Sequence, residues 1–269
     1  VSKNLIPAQR RKRIQELLEK HQVVQSVFLS EALQVSEATI RRDLGWLEKE
    51  GLLERTHGGA ILSQRMEAEP EYSHSAQAHP NEKQAIGVAA AALVENGDTI
   101  FINSGTTATQ VVHHLRGKSG ITIVTSNINA ALEMREFDLE LILLGGIFRP
   151  RAKSVVGRFT TDSLRQIYAN KAFIGVDGLS LKYGCTTPIS DEAEIARLMI
   201  ERTHGPVIVV ADHSKWGVVS NFEIAPLDQI QILVTDEGLN AKARAELASR
   251  SVEVLIATVQ PSPNGQSGP

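Results

Sequence analysis

The sequence predicts an α/β protein in two parts, an N-terminal winged helix-turn-helix followed by a doubly wound, mostly parallel α/β effector domain. Three observations carry this expectation. Residues 35–60 read "VSEATIRRDLGWLEKEGLLERTHGGA", a capped, arginine-bearing helix that runs through a glycine stop into a Gly-Gly turn. From Glu82 onward, seven short and nearly continuous apolar runs alternate with helical stretches. Between the two, residues 63–81 show no sustained apolar period and contain two prolines.

In the N-terminal unit, Ile14, Leu17 and Leu18 mark an amphipathic helix behind Pro7, and "VFLSEALQ" supplies a short second helix. Ser36 is a good N-cap for the third, which Gly51 closes after about four turns. With residues about 100° apart, Ile40, Leu44 and Leu47 share one face while Ala38, Arg42 and Gly45 fall opposite, flanked by Thr39 and Arg41. Gly45 costs roughly 1 kcal/mol relative to alanine inside a helix, a cost that the close approach of another surface explains. "LLERTHGGAIL" reads as two strands joined at Gly58-Gly59, a pair that tolerates the positive φ of a tight turn.

Three helices and a β-ribbon in this order place the third helix in the major groove of double-stranded DNA, with basic side chains on phosphates. An arginine pair alone would read as a solvated helix face; the ordered context decides for DNA. The residues expected at the DNA are Ser36, Ala38, Thr39, Arg41 and Arg42 on the helix and Arg55, His57 and Gly58 on the hairpin.

The segments "VSEATIRRDL", "LEKEGLLER" and "HGGA" resemble the N-terminal signature of the DeoR family of bacterial transcriptional regulators, and the resemblance runs through most of the chain. Ser26 and Phe28 depart from that pattern in the supporting helix region. The resemblance implies a repressor of a carbohydrate catabolic operon, released from operator DNA by a phosphorylated sugar or related metabolite.

Composition bounds the rest. A chain of 269 residues with 42% hydrophobic content holds two domains, expected at 1–62 and 82–258, with a linker at 63–81 that has room for a short helix and a disordered tail at 259–269. The net charge of −3 is unevenly divided: residues 1–58 hold ten Lys/Arg and eight Asp/Glu, so the remainder carries −5. So small a basic surplus points to placed arginines and to duplication in a homo-oligomer, a dimer or tetramer, as the source of affinity. The single cysteine, Cys185, excludes an intramolecular disulfide. No apolar run approaches the roughly 18 residues needed to span a bilayer, and "VSKNLIPAQRRKR" lacks a signal-peptide core, so a cytoplasmic protein without a membrane partner is expected.

In the second domain "KQAIGVAAAALVEN" reads as a helix, and "DTIFIN", "ITIVTS", "LELILL", "KAFIGV", "PVIVVA", "IQILVT" and "VEVLIA" as strands covered on both faces. Ligands bind such sheets beyond the carboxyl ends of the strands. Asn103, Ser104, Gly105, Thr106 and Thr107 stand between a strand and a helix, where amides, hydroxyls and the helix dipole favour an anion. Thr125, Ser126 and Asn127 end the next strand and suit a polyol, Asp177 accepts hydroxyl protons, and Lys215 meets a phosphate or carboxylate. Each alone is an ordinary loop cap; together they predict a site for a small phosphorylated sugar.

The same arrangement resembles ribose-5-phosphate isomerase and the sugar-phosphate deaminases more distantly. By that resemblance Lys83, Ser104 to Thr107, Asp177-Gly178 and Asp212 to Lys215 keep the isomerase's binding parts. Ser180 stands in place of its second aspartate and "KYGCTT" in place of its glycine run, which counts against the alternative of an active isomerase or deaminase with a DNA-binding appendage. No cofactor or metal is expected: the histidines are dispersed, and His113-His114 lack the i, i+4 spacing of a metal pair. Asp191, Glu192 and Glu194 open the helix "DEAEIARLMIER", where acidic residues favour the helix dipole.

Overall fold

The computed structural model describes residues 5–21, 23–56, 58–62, 64–66, 68–133 and 139–259. The N-terminal unit comprises α1 (Pro7–His21), β1 (Val23–Gln25), α2 (Ser26–Leu33), α3 (Glu37–Lys49), β2 (Leu53–Thr56) and β3 (Gly59–Leu62), with a sheet in the order β1-β3-β2. Ser36 caps α3 as expected, its hydroxyl accepting the Thr39 amide at 3.3 Å. At the far end Gly51 takes φ +72°, while its amide donates to Glu48 and the Leu52 amide to Leu47. This is a Schellman stop, which glycine enters without a Cβ penalty. Ile40, Leu44 and Leu47 pack with Ile14, Leu18 and Leu29, and each fully buried side chain contributes about 1.5–3 kcal/mol.

A buried ion cluster that leaves no mark in the apolar pattern locks α1 to α3. The Asp43 carboxylate accepts from the Nε atoms of Arg10 and Arg11, and Arg11 also stacks over Trp46 at 4.1 Å. The third helix is thereby held by charge on one side and by leucines on the other.

The hairpin departs from expectation. Thr56 pairs with Gly59, so Gly59 belongs to β3 and not to the turn. Close packing is what requires this glycine: a Cβ there would stand 1.9 Å from the Val24 carbonyl oxygen of β1.

The chain continues through β4 (Gln64–Arg65), α4 (Tyr72–Gln77), α5 (Pro80–Ala92), β5 (Thr99–Ile102), α6 (Thr106–His113), β6 (Thr122–Thr125), α7 (Ile128–Glu133) and β7 (Glu140–Leu143). Then follow β8 (Ile147–Arg149), β9 (Ser154–Val156), α8 (Arg158–Leu164), β10 (Lys171–Gly175), β11 (Gly178–Ser180), β12 (Gly184–Thr187) and α9 (Ser190–Glu201). The last elements are β13 (Val207–Val210), β14 (Val218–Val219), β15 (Phe222–Ala225), β16 (Ile232–Asp236), α10 (Ala241–Ala248) and β17 (Glu253–Ala257). The expected tail lies, from residue 260 on, outside the described residues.

All seven expected strands join one sheet, in the order β17-β16-β13-β10-β5-β6-β7, and every pairing in it is parallel. In the five inner strands the unbroken apolar runs are explained by cover on both faces. Ile100 and Ile102 pack into one core with Ile86 and Val111, whereas Phe101 packs into the other with Leu164 and Met199. The chain runs outward from β5 to β7 on one side and from β10 to β17 on the other, so the strand order reverses between β5 and β10. That switch point opens a crevice at the carboxyl ends of these two strands.

The segment expected as a linker lies against the second domain. β4 pairs with β14, the Met66 amide donates to Val219 at 2.9 Å, and the hydroxyls of Tyr72 and Thr109 meet at 3.0 Å. The wing is docked as well, since Ile61 belongs to the larger core of the second domain.

Candidate functional site

On the outer face of α3, Ser36, Ala38, Arg41 and Arg42 are exposed and Thr39 is half-buried. Arg41 is engaged by Glu37 one turn away at 3.1 Å, an exposed pair of small energetic value, whereas Arg42 makes no hydrogen bond or ion pair with a described residue. Arg55 reaches back from the wing so that its guanidinium comes 4.0 Å from where a Gly45 Cβ would stand. The gap in the helix surface is therefore spanned in part by the wing's own arginine. Gly58 is exposed in the turn, and His57 lies outside the described residues.

At the switch point, an open crevice is lined by Ser104 to Thr107, Asp177 and Lys215, which the sequence had grouped from three separate loops. Gly105 takes φ +130° and opens α6, presenting the Thr106 and Thr107 amides at the helix N-terminus. Lys215 is half-buried, and its ammonium makes no hydrogen bond or ion pair with a described residue. Burial raises the Asp177 carboxyl above the ordinary carboxylate range, against the opposing pull of Lys215 and the hydrogen bond from Thr187 at 2.8 Å.

Asn103 lines the same cavity but spends its side chain on the scaffold. Its Nδ2 donates to the Gly175 carbonyl at 2.9 Å, and its Oδ1 accepts the Gly175 amide at 2.7 Å. One amide thus clips β5 to β10 across the switch point, a double role that needs both a donor and an acceptor.

Thr125, Ser126 and Asn127 do not line the cavity, which corrects the polyol-binding expectation. They are buried beneath the Gly105 turn with Thr125 and Asn127 committed elsewhere. Thr125 donates to Ile102 at 2.6 Å, and Asn127 donates to Thr109 at 2.9 Å while accepting the Asn129 and Ala130 amides. Asn127 thereby supports the Gly105 turn and the start of α6 from below.

Four groups complete the cavity. Lys83 is 4% exposed and donates to the Ser75 and Ala78 carbonyls; burial lowers its pKa, with Asp212 opposing. Glu192, read above as a helix-dipole residue, turns inward to accept from Ser104 at 3.2 Å, Ser154 at 2.7 Å and Arg149 at 2.7 Å. Burial raises its pKa despite Ser154 and Arg149. Glu69 and Tyr72 line the cavity from the connecting segment, with Pro70 and Ser75 beside them. Nothing in local sequence marks Glu69 or Arg149, because their meeting depends on how residues 69 and 149 are brought together by the fold.

Ser180 does not line the cavity. Its hydroxyl accepts the Tyr183 amide at 2.9 Å in the β11–β12 turn. The same turn meets the wing: the Leu181 amide donates to Glu54 at 3.2 Å, and Glu54 is 4% exposed with a pKa raised by burial. Cys185 is buried, its thiol pushed up to about 12 by desolvation and so held unreactive.

A winged helix with an exposed arginine on its outer face, joined to a sheet with a polar crevice at its switch point, has the form of a DNA-binding regulator carrying a small-molecule sensor domain. Residues 10–65 match the DeoR-like helix-turn-helix domain and residues 78–237 the DeoR C terminal sensor domain, so the chain belongs to the DeoR family of transcriptional regulators. It is 36% identical over 251 residues to the HTH-type transcriptional regulator GlpR of Haloferax volcanii, covering 93% of this chain and 98% of that one. It is 33% identical over 248 residues to the HTH-type transcriptional repressor GlcR of Bacillus subtilis, covering 92% and 95%. Among solved structures, ribose 5-phosphate isomerase A of Methanocaldococcus jannaschii overlaps 50% of this chain and 53% of its own, at 15% identity and a TM-score of 0.37. Among the described residues, no helix is long and apolar enough to cross a membrane.

Proposed function

We propose that this regulator is a cytoplasmic repressor of a carbohydrate catabolic operon, active as a homo-oligomer and released from its operator by a phosphorylated sugar or sugar-derived metabolite. The observation that carries the effector class is the unpartnered Lys215 ammonium, which shares one cavity with the amides and hydroxyls of the Gly105–Thr107 turn and with the Asp177 carboxyl. The cation and the helix N-terminus suit a phosphate, and Asp177 suits hydroxyl groups. The name of the relative GlcR supports repression.

Release requires that effector and DNA prefer different arrangements of the protein. Two connections support this coupling. The segment leading from the wing lines the cavity through Glu69, Pro70, Tyr72 and Ser75, so a ligand there touches the chain that carries the DNA-binding unit. On the second route, β11 starts beside Asp177 and ends in the turn whose Leu181 amide holds Glu54 of β2. Operator titrations with and without a panel of pentose and hexose phosphates test the reading. A phosphorylated sugar that weakens operator binding is expected; if none binds the folded protein, the effector class is wrong.

A further inference from the structure

The two ends of the main sheet differ. On β17, Val254, Leu255 and Ile256 are half-buried, while β7 leaves Ile142 (37% exposed) and Leu143 (43%) open on opposite faces of the edge. Beside it stand Ile147 at 66%, Phe148 at 52% and Phe159 at 77%. Phe159 and Ile147 are the two most exposed large apolar side chains among the described residues. They are neighbours: the Ile147 Cδ1 lies 3.3 Å from where a Gly157 Cβ would stand, and the Thr160 hydroxyl donates to Gly145 at 2.8 Å, tying the start of α8 to the end of the β7 loop.

We propose that this end of the sheet is the interface with a second copy of the chain, giving the oligomer named in the preceding section a particular surface. At these exposures the five side chains present on the order of 600 Å², the upper limit of a single patch on a monomer and most of the roughly 800 Å² that each partner brings to a stable interface. The outer edge of β7 has no strand partner among the described residues, and "ELIL" lacks the lysine or proline that usually blunts such an edge. A second copy is the partner that fits, because the rim is self-complementary. On α8, exposed Arg158 and Arg165 both pair with Asp162 within the chain, at 3.2 and 3.0 Å, and a two-fold axis would let such a pair exchange partners with the same pair of a second copy.

Sedimentation equilibrium on the full chain tests this, with the double variant Ile147→Asp/Phe159→Asp beside the wild type. The wild type should sediment at twice the single-chain mass or more, and the variant's mass should fall by half with its circular dichroism retained. A folded variant of unchanged mass, or a wild type of single-chain mass at micromolar concentration, overturns the proposal. If the variant does not fold, hydrogen exchange on the wild type decides: peptides covering 140–149 and 158–165 should gain protection as concentration rises, and equal exchange at all concentrations overturns the interface. Operator titration of the wild type is run in parallel, since lost DNA binding with normal assembly would count against the repressor reading alone.

Discussion

The carboxylate of Glu69, in the segment joining the two domains, grips the guanidinium of Arg149 through two hydrogen bonds of 3.1 and 2.6 Å. Burial would lower the Arg149 pKa, but its hydrogen bonds to Glu69 and the charge of Glu192 raise it instead. Glu69 therefore occupies, from within the chain, a cation beside the cavity that an incoming anion would also seek. Arg151 adds a bond to the Glu69 carbonyl at 2.8 Å, fastening the segment at the same point.

Glu69→Ala should leave Arg149 held by Glu192 alone and so open one side of its guanidinium to an anionic effector. Removing an internal competitor of this kind is expected to tighten effector binding by about 1.4 kcal/mol, a tenfold change, while weakening its effect on the operator. Calorimetry with the identified effector, alongside operator titration, checks both. Weaker binding by the variant would show that Glu69 helps to hold the ligand instead of competing with it.

Arg42→Ala should weaken specific operator binding by about 1–3 kcal/mol if its guanidinium reads a base, whereas Arg41→Ala should mainly reduce the salt slope. The Glu37 partner of Arg41 and the absence of one for Arg42 motivate the contrast. Anisotropy titrations at several salt concentrations separate the two. Unchanged operator affinity in folded Arg42→Ala would remove α3 as the reading helix.

Thr106→Ala and Lys215→Ala should leave operator affinity and melting temperature near wild type but raise the effector concentration needed for release by one to two powers of ten, since a hydrogen bond to a charged group is worth roughly 1.5–3 kcal/mol. Lys83→Met should behave differently. Its ammonium already holds the Ser75 and Ala78 carbonyls, so the variant should melt lower and lose both activities. Wild-type effector response in both Thr106→Ala and Lys215→Ala would move the phosphate site elsewhere.

Glu54 gives a pH signature. Because burial raises its pKa in the folded protein, its contribution is most favourable at low pH and is lost as pH rises through the folded value. Glu54→Gln retains an acceptor for the Leu181 amide without the buried charge. Thermal melts should therefore place the variant above wild type at neutral pH, with the gap closing as the solution is acidified. A gap independent of pH would mean that Glu54 is not ionising within the fold.

The sequence by itself determined what depends on local periodicity and capping. Ser36 and Gly51 bounded the third helix because an N-cap hydroxyl and a positive φ act within a few residues. The seven apolar runs became the seven parallel strands, the five inner ones because burial on both faces requires apolar side chains at nearly every position. Gly105, Thr106, Asp177 and Lys215 could be grouped from the sequence because strand ends in such a sheet face one edge, and they line one cavity.

Only the tertiary structure decided which side chains at those ends remain free. Thr125 and Asn127 have the right chemistry but are consumed beneath the turn, while Asn103 is consumed across it by Gly175. Glu192 is compatible with a helix dipole until Ser104, Ser154 and Arg149 converge on it. Glu69 and Arg149, like Asp43 with Arg10 and Arg11, are brought together by chain crossings that leave no period in the sequence. A hydrogen bond spends a polar group wherever its partner happens to lie, and the position of that partner is a property of the fold.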